Sequence, residues 1–157
     1  MEVYKYIEQD NGDIKLEKII IDLSKYDIIE DDGNKILKKI TYLNIENIKE
    51  FEFTKSTILQ CFINNEKFDR LYYRSILDNI YNIIGDGTTI IKNSIMNIKT
   101  VKRTTEGFNY IETLGISVQG VDANKTITEI INQCCKNNIK LIMVIQLKDN
   151  NIVNVNM

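Results

Sequence analysis

Residues Ile116 to Leu147, ISVQGVDANKTITEIINQCCKNNIKLIMVIQL, carry the reading on which the fold rests. A short apolar run passes through a polar bend into one amphipathic helix, and from there into the most apolar strand of the chain. Thr126 and Glu129 have capping-box spacing, in which hydroxyl and carboxylate each satisfy an orphan N–H, so a helix is predicted from about 126 to 137. Ile127, Ile130, Ile131 and Cys134 recur at i, i+3, i+4 and i+7 and share one face. Lys136, Asn137 and Asn138 close it, with a cation near the negative pole and then residues that tolerate left-handed backbone. Beyond, Leu141, Met143, Ile145 and Leu147 fall on one side of a strand, and Lys140, Ile142, Val144 and Gln146 on the other. One side wholly apolar and one half so describe a central strand better than an edge.

Around this unit the chain reads as hairpins. The runs 3–7 and 14–21 flank Asp10–Asn11–Gly12–Asp13, and Asn-Gly between β-rich segments is a strong hairpin signal. A second hairpin joins Tyr26–Ile29 to Ile36–Leu43 through Asp31–Asp32–Gly33–Asn34, and a third joins Thr57–Ile63 to Phe68–Tyr73 about Asn64–Asn65–Glu66. The acids of 30–32 read as a solvated turn, since the loop lacks the alternating oxygen ligands of a calcium site. Residues 44–52 read as a helical turn followed by an edge strand. Ser75 opens a second helix, about 75–84, with Ile76, Leu77, Ile80, Tyr81, Ile83 and Ile84 on a broad face and Gly85 at a left-handed cap. Thr88–Val101 reads as a strand or bent pair, Phe108–Val118 as another, and Ile152–Val155 is expected to pair back on Met143–Leu147. Hairpins with two main helices predict an α+β fold with a mainly antiparallel sheet, as one domain spanning 1–157. The 116–147 crossover leaves open one parallel pair.

Composition excludes chemistry more than it assigns it. The chain has no histidine, tryptophan or proline, and its net charge is -2. Lack of histidine removes Ser–His and Cys–His activation, imidazole acid–base chemistry and every His-containing metal site. Three cysteines, an odd number, do not suggest a secreted disulfide framework, so a reducing, cytoplasmic setting is expected. No membrane span or leader is read. The bias towards Ile, Asn and Lys looks like proteins of large AT-rich DNA viruses, their phages or low-GC bacteria. For a viral protein that resemblance implies the host cytoplasm or the virion.

Gly85–Asp86–Gly87–Thr88–Thr89 resembles the GDGTT element with which chaperonins hold nucleotide and magnesium at a loop before a helix. The likeness covers five residues, and Ile90–Ile91–Lys92–Asn93 after it reads as a strand, so a helix cap leading into a tight turn is the preferred reading. Cys134 falls on the apolar face as packing, and adjacent Cys135 lies beside that face. No carboxylate is placed in a buried stretch, Glu112 being the nearest candidate. Lys92, Lys99, Lys102 and Arg103 form a basic strip with no acid between Gly87 and Thr105, whereas residues 1–86 carry 17 acids against 12 bases. Tyr72, Tyr73 and Arg74 supply stacking groups if they lie nearby, the pattern by which single strands of nucleic acid are held. A solvated strand edge guarded by lysines is the plainer reading of that strip.

Three functions follow as expectations. The first is a non-enzymatic protein-binding or self-associating component, without cofactor, such as a viral accessory or virion protein. The second is a nucleic-acid accessory protein using the 92–103 strip. The third is a metal-dependent, phosphate-handling enzyme at the 85–89 loop.

Overall fold

The computed structural model describes residues 2–9, 13–20, 26–31, 34–39, 41–120 and 122–157, and the chain divides into two compact units, Met1–Thr41 and Tyr42–Met157. Among the described residues the fold is α+β, with three α-helices and antiparallel sheets. In the first unit β1 (Glu2–Glu8) pairs with β2 (Ile14–Ile20), and β3 (Tyr26–Asp31) with β4 (Asn34–Lys39). Both expected hairpins are present. The bends at Asp10–Gly12 and Asp32–Gly33 lie outside the described residues.

The second unit is built on a five-stranded sheet. Its order is β5 (Thr41–Leu43), β12 (Ile152–Asn156), β11 (Leu141–Gln146), β6 (Thr57–Ile63) and β7 (Glu66–Lys67). β11 lies between β12 and β6, the central place its two-sided hydrophobicity predicts, with Met143 opposite Val155 on one side and Cys61 on the other. Leu141, Met143 and Ile145 are fully buried and Ile142 is exposed, as period-two alternation requires. The ladder jumps between Val144 and Ile145, leaving Leu59 of β6 as a bulged, exposed residue. Asn64 and Asn65, at φ 51° and 68°, make the tight turn into β7.

Three helices complete the unit: α1 (Tyr73–Ile84), α2 (Gly87–Asn93) and α3 (Ala123–Asn137). Ile76, Leu77, Ile80 and Tyr81 of α1 join Ile127, Ile130, Ile131 and Cys134 of α3 and the inward side of β11 in one core. Burying each such side chain is worth about 1.5–3 kcal/mol, so this cluster is the main driving force for the unit. Gly85 caps α1 at φ 68° and Asn138 caps α3 at φ 53°, both as expected.

Several expectations are corrected. α3 begins at Ala123, where Asp122 rather than Thr126 accepts the capping N–H, from Lys125. The third hairpin returns on β7, Glu66–Lys67, and not on Phe68–Tyr73, which holds no strand and runs into α1 at Tyr73. Ile36–Leu43 is two strands in different sheets, and residues 44–52 hold the expected helical turn, as a 3-10 turn at Ile48–Glu50, but no edge strand. Phe108–Val118 is divided by a 3-10 turn and Gly115 (φ 64°) into β9 (Phe108–Ile111) and β10 (Ile116–Gln119), which flank each other with β8 (Ile98–Lys99) in the order β8–β10–β9. β10 and β11 therefore sit in different sheets, and the crossover makes no parallel pair.

The largest correction is α2. Residues 87–93 are helical although rich in β-branched side chains, which favour strands. Asp86 accepts from the N–H groups of Thr88 and Thr89, satisfying two orphan donors, and Ile90 is fully buried in the core. Capping together with burial overrides intrinsic propensity.

Candidate functional site

The chemistry of the second unit is concentrated in a polar cluster that sequence periodicity hides. Glu129 on α3 is fully buried, against the expectation that no carboxylate would be. Its Oε1 accepts from the Tyr81 hydroxyl at 2.9 Å and from Gln133 Nε2 at 2.8 Å, and its Oε2 accepts from the Ile95 N–H at 2.9 Å. Burial first, then the Glu129 carboxylate, push the Tyr81 hydroxyl well above the ordinary phenol range. Beside it Asn132 Nδ2 donates to the Asn93 carbonyl at 2.7 Å. These contacts tie α1, the segment after α2, and α3 together. They hold the interior in one arrangement, with the bonds to Asn93 and Ile95 only partly buried. One signal was available: between its terminal lysines, the flank of α3 carries Thr, Asn and Gln with a single charge, Glu129, where a solvated face would be studded with Lys and Glu.

Other titratable groups are also committed to structure. Asp86 caps α2, with hydrogen bonds from Thr89 and Thr88 that draw its carboxyl below the usual range. Within the pentapeptide, Gly87 is required by close approach: a Cβ there would lie 3.0 Å from the Leu114 carbonyl oxygen and 3.2 Å from Ile116 Cγ2. Arg74 Nε lies 3.0 Å from Asp78 Oδ1 one turn along α1, though neither atom finds a well-aligned hydrogen bond. Desolvation raises Asp78, and the Arg74 charge opposes it. Cys61 and Cys134 are buried thiols pushed up to about 11 and about 12 by desolvation, while Cys135 is exposed. Glu112 is exposed. Among the described residues no three His, Cys, Asp or Glu side chains converge as metal ligands, and no helix is long and apolar enough to cross a membrane.

The basic strip is assembled in part. Lys99 on β8 and Tyr110 on β9 both oppose Ser117 of β10, so they share one row of the sheet. Ser117 Oγ, fully buried, donates to the Val101 carbonyl and accepts from the Arg103 N–H, both at 2.8 Å, which folds the 101–103 segment over the sheet. Lys102 Nζ then lies 5.3 Å from the Tyr110 ring centre, and the Arg103 guanidinium 5.0 Å from that of Phe108. Phe108 and Tyr110 do not stand out in the sequence, because only the β9–β10 pairing brings them under the cations. Arg103 is also paired with Glu106 at 2.6 Å, so its charge is partly met. Lys92 stands at the end of α2. Tyr72 is exposed, Tyr73 bonds Ser56 at 2.6 Å and packs edge-on against Phe53, and Arg74 holds Asp78. None of those partners is a residue of the strip.

Among the described residues, four of the exposed large apolar side chains lie on the β1–β2 hairpin. Ile20 is 75% exposed, Ile14 65%, Tyr4 56% and Leu16 55%. All four sit on one face, since Tyr4 opposes Lys18 and the even-numbered positions of both strands share a side. Lys18 binds Glu2 at 2.7 Å on that same face. Comparison with protein-family models, with curated proteins and with solved structures gives no match.

Proposed function

We propose that this chain works by non-enzymatic contact with another protein, and that the β1–β2 hairpin provides the contact. The observation that carries the reading is the hairpin's apolar face, four large side chains each more than half exposed. A two-stranded hairpin is marginal in water, and an exposed apolar patch of this kind marks an interaction site. The reading is supported by the condition of the titratable groups. Glu129, Asp86 and Asp78 are held in core, cap and ion pair, and the deep thiols are kept protonated. The composition of an AT-rich genome fits a viral accessory or virion component, acting in the host cytoplasm or in the particle. The test is the mass of the chain in solution, combined with capture from the native host, for the wild type and for Tyr4→Thr/Leu16→Thr/Ile20→Thr. Threonine keeps strand propensity while removing the apolar surface. Association or capture that vanishes in the variant is expected. A wild type that neither self-associates nor retains any protein sinks the reading.

A second reading has its own observation: Lys99, Lys102 and Arg103 gather with Tyr110 and Phe108 on the β8–β10–β9 sheet, a combination suited to single-stranded nucleic acid. It ranks lower because both rings are already covered by the chain's own cations. Salt-dependent retention on single-stranded DNA or RNA, lost on reversing the three cations to Glu, is its expected result. Retention that ignores salt, or none, removes it.

A further inference from the structure

We infer that strand β2 pairs antiparallel with β2 of a second copy of this chain, about a two-fold axis passing through Leu16. The inference rests on the protein-contact reading above and names its partner. Among the described residues β1 and β2 have only each other, so each presents one unsatisfied row of N–H and C=O groups along its outer edge. Joining two hairpins through such an edge gives a four-stranded sheet, past the three strands that a sheet with an apolar face needs to stand alone.

Symmetry then selects the edge and the register. A two-fold axis normal to the sheet leaves every residue on its own face, so a central residue opposes its own copy and the flanking residues oppose one another across it. Centring β2 on Lys15, Glu17 or Lys18 sets a charge against itself. Centring it on Leu16 places Lys15 opposite the partner's Glu17, Glu17 opposite the partner's Lys15, and Leu16 against its own copy. Both unlike pairs form at once, and Ile14 faces the partner's Lys18. On β1 the Lys5 centre opposes Lys5 to itself and Glu2 to Glu8, while the Tyr4 and Tyr6 centres bring no unlike charges together. Unlike charges directly opposite stabilise a strand pair and like charges disfavour it. Within the two strands, the Leu16 centre of β2 is therefore the two-fold register with charge complementarity. It also doubles the exposed row of Ile14, Leu16, Tyr4 and Ile20 into one stripe across four strands.

The test is sedimentation equilibrium of the full chain. Lys15→Glu is the breaking variant: Lys15 opposes Ile7 within its own hairpin, so no pair there changes sign, yet both pairs across the interface become like charges. The complementary variant is Lys5→Glu/Glu17→Lys, which keeps the Lys5–Glu17 opposition of the hairpin with its signs exchanged. The wild type is expected to dimerise, and each variant alone to associate at least about tenfold more weakly. Mixing the two variants restores a dimer, because the acid introduced at position 15 of one then meets the base introduced at position 17 of the other. Far-UV circular dichroism confirms that each variant remains folded. A wild type that stays monomeric at the highest concentration reached overturns the second copy as partner, while capture of another protein still decides the broader reading. A dimer that Lys15→Glu leaves intact overturns this register and leaves self-association standing.

Discussion

Replacing Glu129 tests the arrangement of the interior most directly. Its two carboxylate oxygens receive three donors, from Tyr81, Gln133 and Ile95. In Glu129→Ala the Ile95 N–H loses its acceptor. The Tyr81 hydroxyl is left with Ser94 at 3.5 Å, and Gln133 Nε2 with the Ile90 carbonyl at 3.4 Å. A buried donor without a partner costs about 1–3 kcal/mol, so one orphan and two weakened donors come to roughly 3–6 kcal/mol, before any cavity is counted. Whole domains are stable by about 5–15 kcal/mol, which makes this a large share. With a urea slope of about 2 kcal/mol per molar, the midpoint falls by roughly 2 M. Glu129→Gln keeps the volume but turns an NH2 towards one donor, at about 1–3 kcal/mol, and Tyr81→Phe costs about 1.5–3 kcal/mol as the loss of a bond to a charged acceptor. Since the two residues touch, the double variant is expected to cost less than the sum. The assay is urea unfolding followed by circular dichroism at 222 nm, the chain having no tryptophan. Glu129→Ala within about 1 kcal/mol of wild type, or strict additivity of Tyr81→Phe and Glu129→Gln, refutes the network.

The remaining predictions concern the caps, the glycine and the thiols. Gly87→Ala pushes a methyl to 3.0 Å from the Leu114 carbonyl oxygen, which is backbone and yields little, so a loss of about 1–3 kcal/mol is expected in the same unfolding assay. Asp86 titrates below its ordinary value in the folded chain, so its cap is fully present above the unfolded pKa of about 3.9 and is lost as pH falls through the lower folded value. An acid titration at 222 nm should show a step that Asp86→Asn removes. Of the three cysteines only exposed Cys135 should react rapidly with an aromatic disulfide reagent at pH 8, and all three after denaturation. The folded thiols of Cys61 and Cys134 titrate at about 11 and about 12, above their unfolded value of about 8.5. Their contribution is therefore whole below that unfolded value and lost as pH rises through 11 to 12, visible as alkaline unfolding that Cys134→Ala weakens.

Residue order alone carried the local rules. Met143 and its neighbours alternate because a strand in the middle of a sheet has one face in the core, and Gly85 and Asn138 mark places where only certain residues take left-handed backbone cheaply. Those signals act over a few residues, so the first two hairpins, the C-terminal caps of α1 and α3, the centrality of β11 and the return of β12 could be read without coordinates. Tertiary packing decided the rest. Ile90 lies in a run of β-branched residues, and that run is helical because Asp86 caps it and the core takes up Ile90. Glu129 lies in a helix that reads as having one buried face, yet α3 packs on more than one side, so its polar flank is also closed off from water and must find partners there. Lys102 and Arg103 meet Tyr110 and Phe108 only through strand pairing, a contact between segments that no spacing along the chain encodes. Periodicity records which residues shun water. Which neighbour shields them from it is settled only when distant segments meet.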